Sequence, residues 1–278
     1  MTAMVTGEDV DAFRQEVWDF YREHARSLPW RETQEPYAVL VSELMLQQTQ
    51  VPRVIPKYEA WMERFPDAHH LAQASLAEVL ALWNGLGYNR RAVYLQKAVQ
   101  EVCGRYGGVF PRSEAELCTL PGVGPYTAGA VCAFAFDMPV VFVETNIRSV
   151  FIHYFFTGAD KKIDDRDILP LVRLTLDEER PRAWYYALMD LGAELKRTLP
   201  NPSRKSNQYA KQSRFEGSFR QVRGAILRQL AEVGNASRTL SEIAVAEGID
   251  VNRIRAAAET LVREGILVQI GESVRIKD

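Results

Sequence analysis

Residues 120–131 read LPGVGPYTAGAV, and no other stretch constrains the fold of this chain as strongly. Two glycines bracket one valine, a proline follows, and small residues at helical spacing come after it. Gly122 and Gly124 permit backbone angles and close approaches that a Cβ obstructs. Pro125 suits the first turn of a helix, where its missing N–H leaves no bond unmade. The segment therefore predicts a tight backbone turn leading into a helix. Such a turn either joins two helices or aims the free N–H groups of a helix start at a phosphate.

The surrounding sequence is helical. GEDVDAFRQEVWDFYREHA sets Val10, Phe13, Val17, Phe20 and Tyr21 at helical spacing. Residues 36–65 continue with helical runs and expected breaks at Pro52 and Pro56. Ser75 with Glu78, and Ser113 with Glu116, have the spacing of capping boxes. Further helices are expected over 167–177 and 180–196, and no convincing strand precedes residue 217. After Gly217 three helical segments follow, with Asp250 as an expected N-cap, and ILVQIGESVRIKD alternates like a hairpin turning at Gly271–Glu272. Three helices and a terminal hairpin make the order of a winged helix.

Composition narrows the class. A hydrophobic share of 47% and a charged share of 25% are ordinary for a soluble globular protein. No apolar run approaches a membrane span, and the acidic N-terminus lacks the pattern of a secretory signal, so a cytoplasmic protein is expected. Cys103, Cys118 and Cys132 have no CxxC spacing and read as reduced core residues, and His69, His70 and His153 have no ligand spacing, so no metal site is expected. Net charge is −2, yet between Lys196 and Arg228 nine Lys/Arg face one acid, Glu216, a local excess of about +8. Such a connector suits a phosphate backbone, the ordinary alternative being a solvated linker.

Four segments, LPWRETQEPYAVLVSELMLQQTQV (28–51), LWNGLGYNRRAVYLQKA (82–98), LPGVGPYTAGAV (120–131) and VETNIRSV (143–150), stand in the order and spacing of the helix-hairpin-helix base-excision DNA glycosylases. SELMLQQTQV and GLGY resemble the MutY-type adenine-DNA glycosylases in particular, and the resemblance covers about residues 10–196. It implies an all-α, two-lobed glycosylase fold with the C-terminal winged helix added. Residues 1–25 plus 137–216 would form the lobe of the chain ends, and 26–136 a six-helix barrel lobe with the helix-hairpin-helix at 113–133. The winged helix would take residues 217–278.

The chemistry that the resemblance implies needs two carboxyl groups. Cleaving an N-glycosidic bond makes an oxocarbenium-like sugar and a poor leaving group, so one acid protonates the base while another carboxylate stabilises the cation. Glu43, inside the apolar run VLVSELMLQQ, takes the first role. Glu144 takes the second, where the family has aspartate, and Asn146 matches the residue that orients it. The extra methylene displaces the oxygens by over about one ångström, a misplacement able to cost about a hundredfold in rate. It leaves open a retuned catalyst, a different substrate, or a protein without chemistry. Tyr126 stands where lyase-competent relatives such as endonuclease III carry a nucleophilic lysine, so base removal without strand cleavage is expected.

The target base must leave the stack, and the gap must be filled. Gln47 and Tyr88 match the family's wedging residues, Gln48 a residue contacting the bases at the gap, and Trp30 and Arg31 the start of the pocket wall. Gly122 and Gly124 would present backbone N–H groups to a phosphate, and Arg204 and Lys205 would add phosphate contacts from the basic connector. No cysteine follows Cys132, so the iron–sulfur cluster that most relatives hold there is not expected, and no other cofactor is implied. The winged helix stands where MutY enzymes carry a Nudix-like domain that inspects 8-oxoguanine, and it is expected to add affinity without reading the opposing base.

The leading expectation is therefore a monofunctional DNA glycosylase of base excision repair, monomeric and nucleoid-associated. Its partner would be double-stranded DNA with a mismatched or damaged base, and its target adenine opposite guanine or 8-oxoguanine. Removal of thymine, uracil or another lesion base, and lesion recognition without catalysis, are the alternatives.

Overall fold

The computed structural model describes residues 6–158, 161–211, 214–234 and 236–277, so the first five residues and Gln212–Ser213 of the basic connector lie outside the described residues. Among the described residues, fourteen α-helices precede or flank three short strands. α1 (Gly7–His24) starts on a capping box in which Thr6 and Asp9 satisfy each other's backbone N–H. α2 (Pro36–Leu46) buries Val39, Leu40, Val41, Leu44 and Met45, so it is apolar on nearly every side. α3 (Val51–Arg64) has Pro52 in its first turn and runs through Pro56 without the expected break. The N–H absent at Pro56 forfeits one bond near the helix start, while burial of Val54, Tyr58 and Trp61 holds the helix together.

α4 (Ala68–Gln73) and α5 (Leu76–Trp83) follow, the latter opened by the Ser75–Glu78 capping box, and then α6 (Arg90–Tyr106). α7 (Glu114–Leu117) is a single turn. Ser113 occupies its N-cap but makes no side-chain cap bond, so the capping box expected there does not form. A one-turn helix has little backbone to protect. α8 (Pro125–Phe136), α9 (Thr145–Phe155), α10 (Asp165–Thr175) and α11 (Pro181–Thr198) continue the chain. After α12 (Phe219–Glu232) come β1 (Arg238–Thr239), α13 (Leu240–Glu247), α14 (Val251–Arg263), β2 (Leu267–Ile270) and β3 (Ser273–Ile276). Asp250 caps α14 as expected, and β2 and β3 turn at Gly271–Glu272. The antiparallel sheet has the order β1-β3-β2, with Thr239 opposite Ser273 and Gln269 opposite Val274.

The chain divides into two compact units. The first comprises Met1–Val39, Arg112–Cys118 and Val123–Lys211. Its core is aromatic: Phe13 meets Tyr154, Phe155 and Trp184 edge-on, with centroids 5.2, 5.1 and 6.0 Å away. Phe142 stacks on Tyr185 at 4.2 Å. The second unit comprises Leu40–Pro111, Thr119–Gly122 and Gln212–Asp278. Trp61, Phe65, Leu71, Trp83 and Leu95 are fully enclosed in it, and α12 packs on α5 as well as on α13 and α14.

One sequence expectation needs qualification. Cys132 is buried and Cys103 half-buried, but Cys118 is exposed and not a core residue, because α7 turns Leu117 inward and leaves its C-cap outside. No described helix is long and apolar enough to cross a membrane.

Gly192 sets the closest approach in the first unit. A Cβ on it would lie 2.3 Å from the Asn146 carbonyl oxygen, so α11 touches α9 backbone to backbone. Gly192→Ala should destabilise the protein by about 1–3 kcal/mol, the usual range for overpacking, seen as a lower urea midpoint. An unchanged midpoint would mean that α11 backs away from α9 freely.

Candidate active site

In the first unit, Glu144 is the N-cap of α9. Its Oε1 accepts from the Asn146 N–H at 2.6 Å and the Ile147 N–H at 2.9 Å, and its Oε2 accepts from Asn146 Nδ2 at 3.3 Å. One carboxylate thus meets the free end of a helix and a side-chain amide, which fixes both oxygens. Glu144 keeps a sliver of solvent access yet lies deep among protein atoms, and this desolvation raises its pKa. The Ile147 and Asn146 hydrogen bonds and the charges of Lys196 and Arg148 oppose the rise without cancelling it. Lys196, on the last turn of α11, has its own pKa lowered by burial and partly restored by Glu144. Lys196 reads in the sequence only as the first cation of the basic run, in the ordinary amphipathic stretch ELKR, with nothing to tie it to Glu144.

Arg31 is committed within the protein. Its guanidinium forks onto Asp190 at 2.8 and 2.7 Å and lies 4.4 Å over the Tyr186 ring. Arg26 donates to the same carboxylate at 2.6 Å, which explains how Asp190 tolerates full burial. Trp30 is buried in the short turn Pro29–Arg31. Tyr126 is half-buried in the first turn of α8, its ring 5.9 Å from Phe142.

Two serines tie the basic connector to α9. The Ser203 and Ser149 hydroxyl oxygens lie 2.5 Å apart and within 3.1 and 2.9 Å of the Thr145 carbonyl oxygen, so one serine donates to that carbonyl and the other to its neighbouring serine. The Ile163 N–H donates to the Lys205 carbonyl at 2.8 Å. Lys205 Nζ donates to the Thr157 carbonyl at 3.1 Å, while the Arg204 side chain is exposed. Elsewhere in the run, Arg197, Arg214, Arg223 and Arg228 pair with Glu194, Glu216, Glu264 and Glu247. Three of these acids, Glu194, Glu264 and Glu247, lie outside the run and offset part of its excess charge.

In the second unit, Glu43 lies in α2 at 4% exposure, one of few polar side chains in that buried helix. Just beyond α2, Gln47 is half-buried and Gln48 exposed. Gln48 has φ +55° and Tyr88 φ +49°, left-handed values that non-glycine residues seldom adopt. Gly122, φ +76°, needs to be glycine twice over, because a Cβ would also meet Tyr94 at 2.5 Å. Gly124 differs from expectation: its φ is −93° and a Cβ would meet nothing within 4 Å, so the protein's own packing does not demand glycine there.

What holds residues 47 and 88 in place is Arg91, which sequence reasoning did not single out. Its Nη1 donates to the carbonyls of Leu44 (2.6 Å), Met45 (3.0 Å) and Gln47 (2.5 Å). Its Nη2 donates to the carbonyls of Leu86 (3.1 Å) and Gly87 (3.0 Å) and contacts Thr49 Oγ1 at 3.3 Å. Among the described residues no carboxylate pairs with it, and burial pulls its pKa down to about 10. It is still a cation at neutral pH, balanced by carbonyl dipoles and by the flanking rings of Trp83 at 5.3 Å and Tyr88 at 5.5 Å. A groove of about 1340 Å³ opens beside these loops, lined by Gln47, Gln48 and Tyr88 and by Arg220, Arg223 and Arg228 of α12. Among the described residues, no group of three or more His, Cys, Asp or Glu is placed to hold a metal ion.

Arg91→Met should destabilise the protein by about 3 kcal/mol or more, since it strands several carbonyls at once, and urea unfolding would measure it. Arg91→Lys should recover less than half of that loss, because an ammonium lacks the fork; full recovery would mean that charge alone matters. Lys196→Met should raise the Glu144 pKa further, since removing a nearby positive charge disfavours the carboxylate. Carboxyl-carbon NMR titration would show this, and an unmoved resonance would sever the two residues.

The HhH-GPD family model, described as "HhH-GPD superfamily base excision DNA repair protein", matches residues 41–169. The adenine DNA glycosylase of Mus musculus is 41% identical over 196 residues, 66% of this chain and 38% of that protein. The chain thus spans well under half the length of the mammalian relatives it matches. Among solved structures, a thermostable thymine-DNA glycosylase shares the fold with a TM-score of 0.62 at 24% identity, covering 73% of this chain and 94% of its own. An endonuclease III in a trapped covalent DNA intermediate follows with 0.57 at 20%, covering 67% and 85%. The adenine DNA glycosylase of Mycobacterium tuberculosis is 33% identical over 275 residues, covering 90% of this chain and 88% of its own length. A likeness sustained across nearly the whole of both chains places this protein in the adenine DNA glycosylase family of HhH-GPD base excision repair proteins.

Proposed function

We propose that the protein is a monofunctional DNA glycosylase that removes adenine mispaired with guanine or 8-oxoguanine. The observation that carries this reading is Glu43, a carboxyl group at 4% exposure inside an apolar helix. Burying an ionisable group is costly unless a partner or a task offsets the burial. In this reading Glu43 protonates the adenine, which departs as a neutral base. Glu144, anchored by two backbone N–H groups and Asn146, stabilises the sugar cation until water adds. Glu144 replaces the family's aspartate, and its anchorage supports catalytic use, because both oxygens are positioned in advance.

Tyr126 offers no amine, so the reaction stops at the abasic site. The open space above Gly124 suits a phosphate oxygen approaching the α8 N-terminus. Gln47, Gln48 and Tyr88 handle the bases around the gap, Trp30 and Arg31 support the pocket wall, and Arg204 adds a phosphate contact. The three-part division also belongs to this reading, with residues 217–278 as a winged helix. The enzyme would act as a monomer at the nucleoid.

The residues after α11 do not fit an iron–sulfur cluster. Residues 199–211 contain no cysteine, and the connector is fastened instead through Ser203 to Ser149 and Thr145.

Glu43→Gln should slow single-turnover release of adenine by about 100- to 10,000-fold, the range of a lost general acid, with duplex affinity nearly unchanged. A fully active variant removes Glu43 from the mechanism. Glu144→Gln should be similarly inactive and Glu144→Asp at least as active as the natural protein. Because the Glu144 pKa is raised, release should fall as pH drops through a value above the ordinary glutamate range. Release of thymine or uracil, but not adenine, would overturn the substrate assignment.

A further inference from the structure

α12 does more than pack. Its arginines Arg223 and Arg228 are locked to Glu264 of α14's C-cap and Glu247 of α13, which pins α12 to the helices behind it. Arg220 reaches the other way. Its Nη1 donates to the Tyr88 hydroxyl at 2.7 Å, and its guanidinium lies 5.1 Å from the Tyr88 ring centroid. Arg91 flanks the same ring at 5.5 Å. Tyr88 itself sits at φ +49°, a conformation that persists only when its surroundings over-determine it.

We propose that Arg220 is a positioning residue for Tyr88, and that α12 is the second wall of the groove that reads the duplex. The inference rests on the reading of Tyr88 as the residue that fills the gap left by the extruded base. Arg91 fixes the backbone just before Tyr88 through the Leu86 and Gly87 carbonyls, and Arg220 fixes the ring by its hydroxyl and face. The ring is thereby pre-set before DNA arrives, so less ordering is left to the extrusion step. The C-terminal segment then contributes to extrusion and base choice, whereas the sequence implied a uniform gain in affinity.

The test compares the full-length protein with Arg220→Ala, Arg220→Lys, Tyr88→Phe and the Arg220→Ala/Tyr88→Phe pair. All are measured on one adenine:guanine duplex with 2-aminopurine beside the target adenine. Arg220→Ala should slow single-turnover release at saturating enzyme by about tenfold, as a misplaced group does, and reduce the 2-aminopurine signal on binding. Duplex Kd and its salt slope should stay within about twofold of the natural protein's, because no phosphate contact is lost.

Tyr88→Phe should be slowed comparably, and the pair should be no slower than the slower single variant. Arg220→Lys should resemble Arg220→Ala in rate. The proposal is overturned if Arg220→Ala weakens Kd and flattens the salt slope while leaving the saturated rate intact, since Arg220 then merely holds a phosphate. Strict additivity of the two changes also overturns it. The same duplex read in a Glu43→Gln background reports extrusion without bond cleavage. Its signal therefore separates failure of the positioning role from failure of the excision reading.

Discussion

The second unit depends on one buried cation. Arg91 meets the last carbonyls of α2, where a helix leaves acceptors unsatisfied, and the carbonyls of the turn after α5, where the chain reverses. Any carboxylate at that point would fix a single oxygen pair. Carbonyl dipoles let one planar guanidinium hold two separate loops at once, and its lowered pKa reflects the cost of that arrangement. Gln48 and Tyr88, both with left-handed backbones, each directly follow a carbonyl that Arg91 holds, those of Gln47 and Gly87. The residues with which this family is read as handling DNA are held by a residue that touches no DNA in that reading.

The first unit solves a related problem for Glu144. Burial pushes the carboxyl toward its neutral form, while a helix start, an amide and a lysine pull it back. For these donors to stay aimed, the first turn of α9 must not move. Gly192 presses on it from α11, and the Ser149–Ser203 pair grips the Thr145 carbonyl from the connector. Local packing and a short polar network thus do the bracing.

Most elements were legible because they rest on local signals. The Ser75 cap, the Asp250 cap and the turn at Gly271–Glu272 depend on residues a few positions apart. Ser113 shows the limit: the same spacing fails when the helix that follows is a single turn. Pro56 misled in the opposite direction, because burial outweighed one lost hydrogen bond. Glu43 and Glu144 stood out as charges in apolar runs. Arg91, Lys196 and Arg220 did not, since each acquires its meaning from partners far away in sequence or on another helix. Cations on helices read as surface until the fold shows what they touch.

Each unit is assembled from three separate stretches of chain, and the stretches interleave. This has a consequence for synthesis. Residues 40–111 emerge from the ribosome early, yet α5, which packs on α3 and α6, gains its last partner only when α12 arrives from the far end. The N-terminal helix likewise waits for α9, α10 and α11. Neither hydrophobic core closes domain by domain as the chain grows, and both stay incomplete until late in translation. A protein wired this way spends its nascent life with the α12-facing side of α5 still uncovered.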